Sequence, residues 1–305
     1  MILPNPLLPG DRVALLSASS AIPEDRLAPA VEAVTDLGLE PVLYPSCFFR
    51  NRHGIFAADD RQRAHDLQSA FAAEDIRGIL AIRGGHGAHR ILPLLDFDAI
   101  AKTPKLFAGF SDVTTIHTAL NQVCGLVTYH TVMPYSLYSR PLDEYSRTYW
   151  RRALFGSLKG PLTMPPGYPM RTLGSGRAEG VLCGGTLSLL TYSLGTPWEV
   201  DTRGKILFLE DVDEPNRRVD AMLTQLRNAG KFLDCAGILL GAWSGCQPEE
   251  PGISLSLDEI FRDLLPKDKP ILADLACGHT MPTTALPLGM RVRMDADEQT
   301  LEVLG

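Results

Sequence analysis

This sequence lacks the features that mark disulfide-rich, membrane-spanning and nucleic-acid-binding proteins. Its six cysteines are dispersed along 305 residues and form no C-x-x-C pair, so core thiols are expected rather than disulfides or a metal site. No apolar run approaches the roughly 20 residues that cross a bilayer. The start of the chain has neither a basic segment nor a long apolar one, so we expect no signal peptide. The net charge is −7 and the basic residues are scattered, which argues against a nucleic-acid or anionic-membrane partner. The expected compartment is the cytoplasm.

What the chain does contain is typical of a soluble globular protein of two domains. Hydrophobic residues make up 45% and charged residues 21%, so the chain can bury a core without disulfide bonds or structural metal ions. From about 151 to 180, prolines and glycines interrupt any long element. We therefore predict domains at 1–150 and 181–305, with 151–180 as the connection between them.

Short apolar runs alternate with amphipathic stretches along both predicted domains, which indicates an α/β fold with parallel strands and right-handed crossovers. The predicted strands span 12–18, 41–44, 78–82, 106–110, 205–209, 237–240 and 270–273. The predicted helices span 24–37, 59–71, 187–192, 219–226 and 257–265. Residues 292–304 alternate like a closing hairpin.

The apolar run 106–110 stops at Ser111, and helical spacing begins directly after it. A serine at such a corner lies where backbone N–H groups and the helix dipole favour negative charge. That position suits a serine nucleophile with an oxyanion hole. The segment lacks the second glycine of G-x-S-x-G, because Val113 stands there. On this segment alone, a plain N-cap role for Ser111 is the more common alternative.

Two further apolar runs end on residues that could complete a triad. The run 205–209 delivers Glu210, and 276–280 places His279 beside a glycine. Ser, Glu and His follow the chain order of α/β-hydrolases, although such an order often arises by chance. Glu210 could instead belong to a solvated acidic loop or a cation site. Three other histidines compete with His279 for the catalytic role: His86, His117 and His130.

A glycine-rich segment, Arg83-Gly84-Gly85-His86-Gly87, follows the predicted strand 78–82. It could hold a phosphate, but it fits neither the P-loop pattern nor G-x-G-x-x-G. An N–H group of this loop could instead be one oxyanion donor, with the N–H of Asp112 as the other.

Taken together, these segments resemble the LD-carboxypeptidase family of serine peptidases, over nearly the whole chain and in order. Residues 207–215, with the sequence LFLEDVDEP, are the most specific part of the resemblance. The other matching stretches are 10–13, 83–87, 109–114, 125–130, 184–190, 195–197, the remainder of 204–230, and 278–279.

The resemblance implies a nucleophile at Ser111, an acid at Glu210 and a general base at His279, with the backbone of Asp112 and Gly85 as oxyanion donors. It also implies a Rossmann-like N-terminal domain and a smaller C-terminal α/β domain, with the active site in the cleft between them. No metal and no organic cofactor are implied. The expected partner is a small peptide, murein tetrapeptide, and the expected assembly is a homodimer.

Substrate preference is less well defined than the triad. The candidates for substrate binding are Arg83, Gly84, His86, Thr186 and Arg217. The chain departs from common family residues near the expected pocket, with histidine in place of tyrosine at 86 and threonine in place of asparagine at 186. The run 210–215 favours the murein-recycling branch. The alternatives are an immunity peptidase of the microcin C type, which cleaves an aminoacyl-nucleotide amide, and a non-catalytic ligand-binding relative.

Overall fold

The structure is a computed structural model that describes residues 1–50, 54–137, 142–250 and 252–305, without the side chain at 137. It divides into two compact units. Unit 1 comprises residues 1–157 and 285–287, and unit 2 comprises 158–284 and 288–305. The chain therefore returns briefly to unit 1 late in the sequence.

Strands and helices alternate through most of the described chain. The strands are β1 (Arg12–Leu16), β2 (Glu40–Leu43), β3 (Gly78–Ala81), β4 (Leu106–Gly109), β5 (Thr128–His130), β6 (Gly160–Leu162), β7 (Arg171–Gly174), β8 (Arg177–Thr186), β9 (Ile206–Val212), β10 (Gly237–Ser244), β11 (Ile271–Ala273), β12 (Leu286–Leu288), β13 (Arg291–Asp295) and β14 (Thr300–Val303). The α-helices are α1 (Glu24–Thr35), α2 (Asp60–Ala72), α3 (Ala88–Ile91), α4 (Phe97–Lys102), α5 (Thr114–Val123), α6 (Glu144–Leu154), α7 (Leu187–Tyr192), α8 (Asn216–Asn228) and α9 (Leu257–Leu264).

Unit 1 is built on a six-stranded sheet in the order β12-β5-β4-β3-β1-β2. The pairs β2–β1, β1–β3, β3–β4 and β4–β5 are parallel. All residues of β3 and β4 are buried, as expected for parallel strands covered on both faces. The predicted parallel α/β fold is confirmed, and its order 2-1-3-4-5 is that of flavodoxin-like doubly wound sheets.

Side-chain caps explain where several helices begin. The side chain of Asp59 accepts a hydrogen bond from the Gln62 N–H at 2.8 Å, and α2 starts at the next residue, Asp60. In α9, Ser256 and Glu259 form a reciprocal capping box. These local signals can be read directly from the sequence.

Unit 2 contains an eight-stranded sheet in the order β6-β14-β13-β8-β9-β10-β11-β7. The central strands β8 to β11 are parallel, and the flanking pairs are antiparallel. Helix α8 packs Val219, Leu223 and Leu226 into a core that includes Leu207 and Ile238. The predicted hairpin near the C-terminus is present as β13 and β14.

The segment 151–180 differs from the connection that its prolines and glycines predict, because residues 151–154 complete α6 and unit 1 extends to Ser157. The remainder, 158–180, belongs to unit 2. It contributes β6, β7 and the start of β8 to the sheet of unit 2. Strands β6 and β7 lie at the two edges of that sheet. Edge strands tolerate residues such as Pro161, because one side of the strand has no ladder partner.

All six cysteines are free and buried, which confirms the expectation of core thiols. Among the described residues, no helix has both the length and the apolar composition needed to cross a membrane.

Candidate active site

Ser111 occupies a strained turn at the carboxyl end of β4. Its φ angle is +66°, a value that few residues other than glycine adopt. A short 3-10 turn spans Ser111–Val113, and α5 then starts with Val113, not Ser111, at its N-cap position. The simple N-cap interpretation of Ser111 is therefore wrong. Strained backbone held at a strand end is a feature of functional sites.

The glycine-rich loop packs directly against this serine within unit 1. A Cβ atom on Gly84 would lie 2.9 Å from the Ser111 Cβ and 3.1 Å from its Oγ, so only glycine fits. The N–H of His86 donates a hydrogen bond to Ser20 Oγ at 3.0 Å. Ser20, which follows β1, therefore holds the loop in place. No motif around Ser20 predicted this role, although a polar residue after a buried strand at this sheet edge was a usable signal.

Arg83 makes contacts that hold loops of unit 1 together. Its Nη1 donates to the Ala21 carbonyl at 2.7 Å and its Nε donates to the Gly84 carbonyl at 3.2 Å. The guanidinium also lies 4.6 Å from the centre of the Tyr135 ring. Burial lowers the pKa of Arg83. Binding of a substrate carboxylate by Arg83 stays a prediction.

Two of the competing histidines serve packing. His117 is fully buried, and burial lowers its pKa to about 3. Its Nε2 lies 2.9 Å from the carbonyl oxygen of Gly109, the last residue of β4. His130 is also buried, with its ring 5.6 Å from that of Phe110.

In unit 2, β9 and the loop after β11 bring Glu210 and His279 together. Glu210 is 0% exposed, and its Oε2 lies 2.7 Å from Nδ1 of His279. The backbone N–H of His279 donates to the same oxygen at 3.2 Å. Thr186 Oγ1 donates to the other carboxylate oxygen at 2.5 Å. These bonds offset the cost of burying the carboxylate.

Thr186 therefore positions the acid, whereas its sequence context predicted only a contact with substrate. The residues Thr186 and Glu210 are register partners on the parallel strands β8 and β9. Since which strands pair is decided by tertiary structure, this contact could not be read from the sequence. Arg217, another substrate-binding candidate, is exposed and forms an ion pair with Glu249 at 2.9 Å.

The electrostatics of the pair suit an imidazole that accepts a proton. Burial alone would lower the pKa of His279, but the charge and hydrogen bond of Glu210 outweigh it and the pKa is raised. With Nδ1–H donated to Glu210, Nε2 is the nitrogen available to a substrate or nucleophile. Burial, together with the charge of Glu210, raises the pKa of the adjacent Asp211 to about 6.

The predicted residues thus form two groups. Ser111, Gly84, Gly85 and Asp112 lie in unit 1. Glu210 and His279 lie in unit 2 with Thr186. Gly84 packs against Ser111 in the first group, and Thr186, Glu210 and His279 are joined by hydrogen bonds in the second.

Comparison with known proteins assigns both units to one family. The LD-carboxypeptidase N-terminal domain matches residues 13–131, and the LD-carboxypeptidase C-terminal domain matches residues 179–294. A probable murein peptide carboxypeptidase of Bacillus subtilis is 38% identical over 97% of this chain and 92% of its own length. The murein tetrapeptide carboxypeptidase of Pseudomonas aeruginosa is 31% identical over 91% of each chain.

Solved structures agree with this assignment. A muramoyltetrapeptide carboxypeptidase from Oxalobacter formigenes has a TM-score of 0.83 and 28% identity, covering 96% of this chain and 99% of its own. The structure of MccF in complex with glutamyl sulfamoyl guanosine has a TM-score of 0.91 and covers 100% of this chain and 99% of its own. At 24% identity, the second match shows the fold alone. The matches to both domains of the family, together with these relatives, show that this chain belongs to the LD-carboxypeptidase family.

Proposed function

We propose that this chain is a serine-type carboxypeptidase of peptidoglycan recycling. It releases the terminal D-alanine of murein tetrapeptide from the L-centre of the diamino acid. The observation that carries the proposal is the buried Glu210 bonded to Nδ1 of His279 at 2.7 Å. A buried carboxylate that fixes an imidazole in this way leaves Nε2 as a general base, as in serine hydrolases. The two relatives whose names refer to murein peptides support this substrate class.

In the proposed reaction, Ser111 Oγ attacks the carbonyl carbon of the scissile amide while His279 Nε2 takes the hydroxyl proton. Glu210 holds the imidazole orientation and stabilises the imidazolium that forms. The strained turn at Ser111 presents its hydroxyl at the end of β4, where the neighbouring N–H groups favour negative charge.

The oxyanion of the tetrahedral intermediate is held by the backbone N–H groups of Asp112 and Gly85. In other hydrolases one such donor contributes roughly 3–4 kcal/mol to transition-state stability. Collapse breaks the C–N bond, and His279 gives its proton to the amine of the departing D-alanine. Water, deprotonated by His279, then hydrolyses the acyl ester and restores Ser111.

The first test is mass-spectrometric detection of D-alanine released from murein tetrapeptide. Wild type and Ser69→Ala, which removes a serine of α2 outside the proposed site, should release D-alanine at equal rates. Ser111→Ala should be slower by a factor of about 10³ or more, with an unchanged melting temperature.

Other outcomes would separate the alternatives. A Ser111→Ala rate close to that of wild type contradicts the nucleophile. Activity on an aminoacyl-nucleotide amide, with none on murein tetrapeptide, would assign the substrate of an immunity peptidase. Failure on both substrates, with no labelling of Ser111 by a phosphonylating probe, would indicate a ligand-binding protein.

Two further expectations accompany this proposal. The family resemblance suggests a homodimer, and the substrate class, a peptide fragment returned for recycling, suggests a cytoplasmic location. Neither is needed for the chemistry of Ser111, His279 and Glu210.

A further inference from the structure

Two histidines and one carboxylate lie together beside the nucleophile turn of unit 1. We call His86, His89 and Asp112 the histidine cluster. Each residue offers one ligand atom, and these atoms all lie within 4.8 Å of one another. The rings of His86 and His89 have their centres 5.2 Å apart. The general base, His279, belongs to unit 2 and is not part of this cluster.

Only one of the two carboxylate oxygens of Asp112 has a hydrogen-bond donor among the described residues. The residue is 1% exposed, and its Oδ2 accepts a hydrogen bond from the Ala88 N–H at 2.8 Å. Its Oδ1 is buried and has no hydrogen-bond partner among the described residues. A buried carboxylate oxygen without a hydrogen-bond donor is costly, so this atom is a candidate ligand atom.

The described hydrogen bonds of the neighbouring arginines go to groups other than Asp112. Arg63 Nη1 donates to the carbonyl groups of Ala18 and Gly87, at 2.6 and 3.0 Å. Its Nη2 bonds Asp60, which also pairs with Arg90 at 2.8 Å. Asp60 therefore bridges both guanidinium groups, whereas Asp112 acts on Arg63 only through its charge and is in none of the described ion pairs.

We propose that the histidine cluster binds a divalent cation of the zinc class. Two imidazoles and one carboxylate are a donor set that zinc accepts, with water in the fourth position. Tetrahedral bonds of about 2.1 Å place donor atoms about 3.4 Å apart, so atoms now within 4.8 Å of one another must approach by up to about 1.4 Å around the ion. His86 is exposed and can supply this movement, whereas Asp112 is buried and anchored.

The consequence for catalysis rests on the proposed function. The backbone N–H of Asp112 is a proposed oxyanion donor, and Asp112 directly follows Ser111. An ion bound to the Asp112 side chain would restrain this turn, including the backbone N–H that the proposed oxyanion hole uses. We therefore expect zinc to act as a reversible inhibitor and not as a cofactor.

The test is titration of tag-free protein with zinc sulfate by calorimetry. Wild type should bind one Zn²⁺, and His279→Ala should bind it equally, because the base is not a ligand. His86→Tyr and His89→Gln should each weaken binding by about 100-fold or more, beyond the roughly 10–100-fold that loss of an outer-shell partner costs. His65→Gln, which removes an exposed histidine of α2, is the matched control. Unchanged binding in both cluster variants, or no binding by wild type, overturns the proposal.

Release of D-alanine supplies a second readout. Zinc should inhibit wild type, and the same concentration should inhibit His86→Tyr far less. If the protein binds zinc through these residues but releases no D-alanine, the metal site stands and the proposed function is refuted. If wild type releases D-alanine but both cluster variants bind zinc as tightly as wild type, the proposed function stands and the proposed metal site is refuted.

Discussion

At the scale of single residues, the buried carboxylate of Glu210 influences the pH range in which His279 is neutral and can act as a base. Burial opposes a charge on the imidazole, but the charge and hydrogen bond of Glu210 raise its pKa above the usual value. A general base must be neutral, so activity should be low below this raised pKa and increase as the pH rises through it. The acid limb of kcat/KM in the free enzyme should report this group.

Glu210→Gln tests this assignment. The amide keeps the shape of the side chain but removes its charge, so the pKa of His279 should fall and the acid limb should move to lower pH. The maximal rate should drop by about 10⁴-fold, as when the carboxylate of another triad is made an amide. The measurement is the pH dependence of D-alanine release.

Asp213→Asn is the matched control for charge, because Asp213 raises the pKa of His279 by a smaller electrostatic contribution. It should shift the acid limb slightly and leave the maximal rate close to that of wild type. An acid limb in Glu210→Gln identical to that of wild type would contradict the role of Glu210.

At the scale of elements, the loop after β11 reaches Glu210 because of one glycine. Gly278 has a φ angle of +106°, and a Cβ there would lie 2.8 Å from the Cδ of Glu210. Real Cβ atoms do not approach so closely, so a side chain at this position must displace the carboxylate or the loop.

Gly278→Ala should therefore cost both stability and activity. Gly230→Ala is the matched control, because Gly230 also has positive φ, +77°, but no heavy atom within 4 Å of its ideal Cβ. The control should lose about 1 kcal/mol of unfolding free energy from backbone strain and keep its turnover. Gly278→Ala should lose more, and its D-alanine release should fall sharply. If denaturant melts show equal losses of unfolding free energy and both variants keep full activity, the close approach of residue 278 to Glu210 is contradicted.

At the scale of the whole molecule, the two units are not consecutive pieces of chain. Residues 285–287 belong to unit 1, where β12 forms the edge of the sheet beside β5. Pro287 lies within that strand, which an edge position allows. A fragment that ends at the first boundary therefore lacks one strand of its own sheet.

A fragment of residues 1–157 should be less stable than unit 1 of the intact chain and prone to association, because β5 becomes an exposed edge. The same fragment with residues 284–289 attached through a flexible linker should recover stability and remain monodisperse. Denaturant melts and light scattering of both fragments provide the comparison. Equal melts and equal scattering would show that β12 is dispensable.

Much of the fold could be predicted because its signals are local. Buried parallel strands read as apolar runs, and caps such as Asp59 mark where helices begin. The segment 158–180 was harder to predict. Its prolines and glycines indicate a connection, but it contains the two edge strands of the sheet in unit 2. Each edge strand pairs with a strand that lies far away in the sequence: β6 with β14, and β7 with β11.

What the sequence by itself determined is the set of elements, the corner at Ser111 and the residue types able to act as acid and base. Each depends on a short window of residues and on chemistry that a side chain carries with it. Only the tertiary structure decided that Thr186 holds Glu210, that Gly84 contacts Ser111, and that β12 completes the first sheet. These contacts depend on which strands become neighbours, and that order is set by packing among residues far apart in the chain.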